Sequence, residues 1–171
     1  MAYVNANDCF NWDSSGRAVF DGHDVSDLAR GYPTPFYLLS QKQIRSNFRQ
    51  FQEAFSGADG GISIYYSVKS NFESMVLSTL AEMGCGAEIS GALDMELARR
   101  AGMQPNKVVF DGPVKPEADL RAAIEWGVHC IDIESMTEAR LISRIATEMG
   151  SATHVARSFT IVATVSIASS R

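Results

Sequence analysis

Residues Tyr65–Asn71 read YYSVKSN, and this stretch decides how the rest of the chain is interpreted. Five of the seven residues from Ile62 to Val68 are apolar or aromatic, which indicates a strand buried in a core. Lys69 follows directly, at the carboxyl end of that predicted strand. Because most lysines at strand ends are simply solvated, the meaning of Lys69 depends on what the neighbouring strands place beside it.

Strands and helices are predicted to alternate on both sides of this stretch. The predicted strands are Pro35–Leu39, Ile62–Val68, Ala87–Ser90, Val108–Asp111 and His129–Ile133. The predicted helices run from the capping box at Ser40–Gln43, from just after Asn71 to Gly84, over Leu93–Ala101 to a stop at Gly102, from Pro116 to Gly127, and from the capping box at Ser135–Glu138 to about Met149. This alternation predicts a parallel sheet with right-handed crossovers.

Two architectures satisfy this pattern, an open doubly wound sheet and a closed (β/α)8 barrel. A dinucleotide-binding sheet needs the closely spaced glycines of a GxGxxG turn directly after a strand. In GCGAEISG at Gly84–Gly91, the closely spaced glycines come before the predicted strand instead. In a barrel, functional groups lie at the carboxyl ends of the strands, where Lys69, Glu88, Asp111 and Glu134 all fall. The predicted fold class is therefore α/β, a partial (β/α)8 barrel of the TIM type with about five to six βα units.

The composition excludes several classes of partner. The chain has 171 residues, 46% of them hydrophobic, and no apolar run approaches the length of a membrane span. Its formal charge of -5 argues against nucleic acid or an anionic membrane as the main partner. The N-terminus lacks the basic start and apolar core of a secretory signal, so the cytoplasm is the expected compartment.

Neither the cysteines nor the histidines have the spacing of a metal site. The three cysteines, an odd number without a CxxC pair, indicate reduced and mostly buried thiols; they are Cys9, Cys85 and Cys130. The histidines are scattered and are interpreted as structural or surface residues; they are His23, His129 and His154. No metal is expected.

Several blocks of sequence, taken in order, carry a family resemblance. They are TPFYLLS, IRSNFRQF, IYYSVKSN, LAEMGCGAEIS, ELARRAG, VVFDGPVK, DLRAAIEWGVHCIDIES and EARLI, within about Asp21 to Met149. Together they resemble the N-terminal half of the pyridoxal-phosphate-dependent diaminopimelate, ornithine and arginine decarboxylases. That family is built on an alanine-racemase-like barrel. YYSVKSN matches the family's aromatic-x-Val-Lys-x-Asn cofactor segment.

The resemblance implies that Lys69 is the catalytic lysine that bonds to the aldehyde of pyridoxal 5'-phosphate. A primary amine forms a bond that a substrate amine can displace, and desolvation or nearby positive charge makes its neutral form accessible. Glu88 matches the position where the family keeps an acidic group near the cofactor and its lysine, although a surface or capping carboxylate is the alternative. The implied partner is a small amino-acid substrate, and family members are typically homodimers.

The chain departs from the family after Glu88. The family usually has a Ser-x-Gly-Glu pattern there, but this chain reads Gly-Ala-Leu-Asp over residues 91–94, so the resemblance assigns no role to Asp94. Four further residues match family blocks that line the barrel mouth, and they fit loop or helix caps equally well. They are Asp111, Lys115, Glu134 and Ser135.

Three segments are expected. Residues 1–34 are the start of the family's β-domain and a lead-in, residues 35–149 are a partial cofactor-binding barrel, and residues 150–171 are a divergent tail. The tail is expected to be poorly packed or to add at most one strand, with Ile161–Ile167 as the candidate. A truncation or a frame shift after about Met149 is expected to explain why the family resemblance stops there. The family places its phosphate cradle, the carboxylate partner of the pyridine nitrogen and its substrate-choosing segment in sequence that this chain lacks.

The predicted function is a decarboxylase of a diamino or basic amino acid, present as an N-terminal fragment that is inactive alone. One alternative is a racemase on the same barrel, but NFESM after Lys69 does not match the small-residue, Tyr-Gly-His sequence typical of racemases. The other alternative is a non-catalytic remnant or binding module. TPFYLLS and the N-terminal stretch from Phe20 favour the diaminopimelate branch.

Overall fold

The computed structural model describes residues 9–57, 62–150 and the backbone of residues 155–156, which form two sheets. The first sheet is antiparallel, with strand order β1-β2-β3. Its strands are β1 (Phe10–Trp12), β2 (Ala18–Phe20) and β3 (His23–Asp24). The predicted N-terminal segment therefore contains a small sheet of its own.

The second sheet is parallel, and its strand order β4-β5-β6-β7-β8 follows the chain. The strands are β4 (Tyr65–Ser67), β5 (Gly86–Ile89), β6 (Val108–Phe110), β7 (Cys130–Asp132) and β8 (Val155–Ala156). The helices are α1 (Val25–Gly31), α2 (Gln41–Ala54), α3 (Ser74–Glu82), α4 (Ala92–Arg100), α5 (Glu117–Trp126) and α6 (Met136–Met149). One helix separates each strand of this sheet from the next. The α/β class and the parallel, sequential arrangement are confirmed.

Helix boundaries follow the local signals in the sequence. The hydroxyls of the two predicted capping serines, Ser40 and Ser135, accept from the backbone N–H groups of Gln43 and Glu138. Helix α5 ends at Gly127, whose φ of 79° is a left-handed conformation that favours glycine. Capping chemistry is short-range, and it is therefore readable from the sequence alone.

Two strand predictions need correction. Pro35–Leu39 forms no strand, although the helix predicted after it is present as α2. Leu39 packs against the core while the Tyr37 side chain is exposed, so the apolar content there reflects burial without ladder pairing. The predicted strand Ile62–Val68 is shortened to β4, because the chain turns into a 3-10 helix at Val68–Ser70.

The two faces of the parallel sheet have different roles. Alternate strand residues pack with the helices in the main hydrophobic core, among them Tyr66, Ala87, Ile89, Phe110 and Ile131. The intervening residues must point to the opposite face, because successive side chains of a strand alternate. This second face, called the inner face below, carries Tyr65, Ser67, Gly86, Glu88, Val109 and Cys130.

Gly86 allows an aromatic ring to cross the inner face. A Cβ atom on Gly86 would lie 2.5 Å from Tyr65 Cδ1 and 2.6 Å from the Lys107 backbone oxygen. The Tyr65 ring also stacks on His129, with 6.4 Å between ring centroids and 18° between planes. Tyr65 therefore covers the amino end of the inner face, and His129 has a structural contact as expected.

The described backbone after Gly150 consists of one short strand, and the prediction for the tail stays a prediction. Val155–Ala156 pairs in parallel with β7, whereas Ile161–Ile167 and His154 lie outside the described residues. Within residues 9–57 and 62–150, no helix is long and apolar enough to cross a membrane. None of the three cysteines is joined in a disulfide, and burial raises the pKa of the Cys85 thiol to about 12, which makes it unreactive.

Candidate active site

The four strand-end residues singled out in the sequence lie at one end of the parallel sheet. Glu88 is the penultimate residue of β5, Lys69 and Glu134 each lie two residues beyond β4 and β7, and Asp111 follows β6 directly. Parallel strands in register bring their carboxyl ends to the same edge. The fold therefore brings these four residues to the edge of the sheet where the sequence predicted them.

Lys69 and Glu88 form an ion pair at this edge. The Lys69 Nζ atom lies 3.2 Å from Glu88 Oε1, and their side chains are 59% and 1% exposed respectively. The pair is possible because Ser67 and Glu88 are direct neighbours in the register of β4 and β5. The expected proximity of Lys69 to Glu88 is confirmed.

The exposure of Lys69 corrects one expectation. The family resemblance implied desolvation or nearby positive charge around the amine, but the side chain is more than half exposed and its ion-pair partner is a carboxylate. The reason is that Lys69 lies in the 3-10 turn beyond β4, past the buried part of the strand. In this structure the amine is accessible and paired with an anion.

The backbone after Lys69 is held by Asn71. The Asn71 side chain accepts from the backbone N–H of Glu73 at 3.0 Å, immediately before α3 begins. The Tyr66 hydroxyl donates to the Asn71 backbone oxygen at 3.4 Å. An asparagine that accepts from the backbone two residues later is a typical turn former. The Lys-x-Asn spacing therefore fixes the turn on which Lys69 is carried.

Two polar atoms below the Lys69–Glu88 pair are buried without a hydrogen-bond partner. They are Glu88 Oε2 and the hydroxyl oxygen of Ser67. Buried polar atoms are almost always partnered, so each exception calls for an explanation. Both atoms belong to inner-face residues of adjacent strands.

Asp94 has a structural role that sequence reasoning missed. Its carboxylate accepts from the Ser90 backbone N–H at 2.9 Å and from the Ser90 hydroxyl at 2.6 Å. Asp94 lies in the first turn of α4, so it connects the start of that helix to Ser90, the residue that follows β5. The signal was the four-residue spacing from Ser90, which places a carboxylate over a turn.

Lys115 is a further charged residue buried near this edge. Its side chain is fully buried, and its ammonium group lies 3.2 Å from both carboxylate oxygens of Glu138 and 2.8 Å from the Gly112 backbone oxygen. A Cβ atom on Gly112 would lie 3.1 Å from the Ser90 backbone oxygen. Lys115 thus connects the loop after β6 to the start of α6.

We expect Lys115→Met to lower the free energy of unfolding by about 2 kcal/mol, because Glu138 loses its charged partner. This is below the range for fully buried pairs, since the Glu138 side chain is 11% exposed. Urea unfolding followed by circular dichroism measures the loss. The double variant Lys115→Met with Glu138→Gln should recover part of it, and a loss equal to or greater than that of Lys115→Met alone would contradict this account.

The remaining candidates at the barrel mouth have capping or loop contacts. Ser135 is the N-cap of α6, and Glu138 Oε2 accepts from the Glu134 backbone N–H at 2.9 Å. The Asp111 backbone N–H donates to the Ile89 oxygen at 2.9 Å. For Ser135 the structure supports the capping interpretation.

A cavity of about 390 Å³ lies at the opposite end of the sheet, and it is not the candidate site. Its lining residues precede or begin the strands, among them Ser63, Tyr65, Gly86, Lys107 and His129. That end of a barrel is associated with stability rather than catalysis. Within the described residues, no cluster of histidine, cysteine, aspartate and glutamate is arranged to hold a metal ion.

Known proteins match both the sequence and this fold. The family described as "Pyridoxal-dependent decarboxylase, pyridoxal binding domain" matches residues 41–169. Diaminopimelate decarboxylase of Vibrio cholerae is 34% identical over 143 residues, and that of Methanocaldococcus jannaschii is 30% identical over 145. These matches cover 84% and 82% of this chain and 34% and 33% of the relatives.

The solved structures of the M. jannaschii enzyme, one of them a complex with L-lysine, superpose with a TM-score of 0.84 at 29% identity. They cover 88% of this chain and 36% of the solved chain. This chain thus spans about a third of the length of the curated relatives that it matches. Because the family match continues past Met149, the start of a divergent tail at residue 150 stays a prediction. With three-quarters of its residues in that match, and with the fold of the solved relatives, the chain belongs to the pyridoxal-dependent decarboxylase family.

Proposed function

We propose that this chain is the cofactor-binding part of a pyridoxal-phosphate-dependent amino-acid decarboxylase, and that Lys69 is the lysine that bonds to the cofactor. The observation that carries this proposal is the Lys69–Glu88 pair, 3.2 Å apart at the carboxyl edge of the parallel sheet. An accessible primary amine at this edge is the group that the cofactor aldehyde requires.

The residues present fit the cofactor. Lys69 supplies an amine that solvent reaches, and Glu88 supplies a buried carboxylate with one oxygen still unpartnered. When bound, pyridoxal phosphate supplies an electron sink for the bond pair left when carbon dioxide departs from the substrate. We propose Lys69 and Glu88 as cofactor-binding residues and Lys69 alone as catalytic.

Glu88 prepares Lys69 for its role. The ion pair orients the ammonium group, because one carboxylate oxygen is fixed on a strand that is almost fully buried. Only the neutral amine is a nucleophile, and a carboxylate within hydrogen-bond reach can accept the proton that must leave Nζ. Glu88 Oε1 is the carboxylate oxygen within reach of Nζ to receive that proton when Lys69 reacts.

We propose diaminopimelate as the substrate of the whole protein. The relatives described above are diaminopimelate decarboxylases, and one solved relative is a complex with L-lysine. The TPFYLLS block supports the same branch. A cytoplasmic location and a homodimer stay predictions.

Borohydride trapping tests the proposed role of Lys69. The purified chain is mixed with pyridoxal phosphate, reduced with borohydride, digested and mapped by mass spectrometry. We expect one cofactor mass on the peptide that contains Lys69, together with a visible absorption band that reduction removes. Label spread evenly over the exposed lysines, or no label, would favour a non-catalytic remnant.

A further inference from the structure

Ser67 and Glu88 place two unsatisfied polar atoms side by side on the inner face. They are register partners on β4 and β5, both residues are buried, and neither the Ser67 hydroxyl nor Glu88 Oε2 has a hydrogen-bond partner. Neighbouring strands lie about 5 Å apart, so in-register side chains on one face are within reach of each other. Rotation about the Cα–Cβ bond of Ser67 moves its hydroxyl without moving the backbone.

We propose that Ser67 is a positioning residue whose hydroxyl donates a hydrogen bond to Glu88 Oε2. Glu88 then binds Ser67 with one carboxylate oxygen and Lys69 with the other, at 3.2 Å. The bond satisfies both unpartnered atoms at once. This inference rests on the proposed function only in treating Lys69 as the reactive amine.

The hydroxyl holds the carboxylate of Glu88 in place. A hydrogen bond donated to a carboxylate is short and directional, so it fixes Oε2 and leaves Oε1 for Lys69. The fixed carboxylate in turn holds the ammonium group of Lys69 in one position. Ser67 therefore acts on Lys69 through Glu88, without contact to the cofactor.

The other ionisable groups around this face have contacts of their own. Cys130 and Asp132 on β7 contact each other, with 3.6 Å between the sulfur and Oδ1. Asp94 is bound to Ser90, and Lys115 to Glu138. Tyr65 lies on the same strand as Ser67, and Asp111 follows β6. In the described residues, the ion pair of Glu88 is the one with Lys69.

Reductive methylation of the 171-residue chain tests this inference without the cofactor. The probe is formaldehyde with a mild hydride donor, and methylation of each lysine peptide is followed by mass spectrometry from pH 6 to 10. Only neutral amines react. We expect Ser67→Ala to raise the rate at Lys69 about tenfold near pH 7, because the carboxylate that pairs with Lys69 loses a charge-assisted hydrogen bond.

Matched variants separate the hydroxyl from its surroundings. Ser67→Thr keeps a hydroxyl and should retain the wild-type profile, as should Ser70→Ala, which removes an exposed hydroxyl next to Lys69. Glu88→Gln should raise the rate at least as much as Ser67→Ala, and adding Ser67→Ala to it should change nothing further. Lys107 provides the internal reference in every sample.

Three results would overturn the inference. They are a wild-type profile in Ser67→Ala, an equal shift in Ser67→Thr, and a further shift when Ser67→Ala is added to Glu88→Gln. Failure of cofactor trapping at Lys69 is a separate outcome, because formaldehyde needs no cofactor site. Such a failure would contradict the proposed function but not the proposed contact between Ser67 and Glu88.

Discussion

Lys69→Ala is expected to abolish covalent attachment of pyridoxal phosphate to this chain. The amine of Lys69 is the nucleophile, and alanine offers nothing in its place. Because removal of Lys69 leaves the buried Glu88 carboxylate without its cation, circular dichroism of the variant checks that the fold is retained. The measurement is the visible absorption band of the cofactor adduct, together with borohydride trapping and intact mass, compared with the wild-type chain.

Lys69→Arg separates charge from nucleophilicity. Arginine retains a cation beside Glu88 but stays protonated under these conditions, so it should also form no adduct. Lys107→Ala is the matched control, because Lys107 is an exposed lysine that donates to the Gly84 backbone oxygen, at the opposite end of the sheet. Undiminished attachment in Lys69→Ala would show that another lysine binds the cofactor.

The fold was readable from the sequence where local signals repeat. Strands β4 to β7 were each predicted within about three residues and both capping serines were placed correctly, whereas β8 was not predicted. The prediction failed at Pro35–Leu39, where an apolar stretch packs on the core without pairing. Apolar residues indicate that a segment is buried. A strand must also form hydrogen bonds with a neighbouring strand, and the spacing of apolar residues does not show whether one is present.

The candidate site was readable only in part. The placement of Lys69 and Glu88 at one edge was predicted, because parallel strands bring their carboxyl ends together; their roles stay a proposal. The pairing of Lys115 with Glu138 was not predicted, because it joins a loop to a helix 23 residues later. Glu138 was expected to complete its capping box, and it instead accepts from Glu134 and Lys115. Such contacts depend on how separate loops meet in three dimensions.

The chain of 171 residues, even when loaded with pyridoxal phosphate, is expected to decarboxylate diaminopimelate no faster than the free cofactor. Rate enhancement requires a fixed phosphate, a charged partner for the ring and an orientation that aligns the breaking bond. At the carboxyl edge of the described sheet, the strand-end loops offer two cations, Lys69 and Lys115. Lys69 is paired with Glu88, and Lys115 is paired with Glu138. Within the described residues, the strand-end loops therefore hold no cation outside these two ion pairs for the phosphate.

The expected loss of decarboxylation rate depends on how many of these three features are absent. Removing one preorganised electrostatic group typically costs roughly a hundred- to a thousandfold in rate, and groups that act as a unit fail together. Release of carbon dioxide from labelled diaminopimelate, compared with an equal concentration of free cofactor, measures the remainder. Lysine, ornithine and arginine serve as parallel substrates. Release well above the free-cofactor rate that Lys69→Ala abolishes would show that the five-stranded sheet alone positions cofactor and substrate, because attachment without orientation cannot produce it.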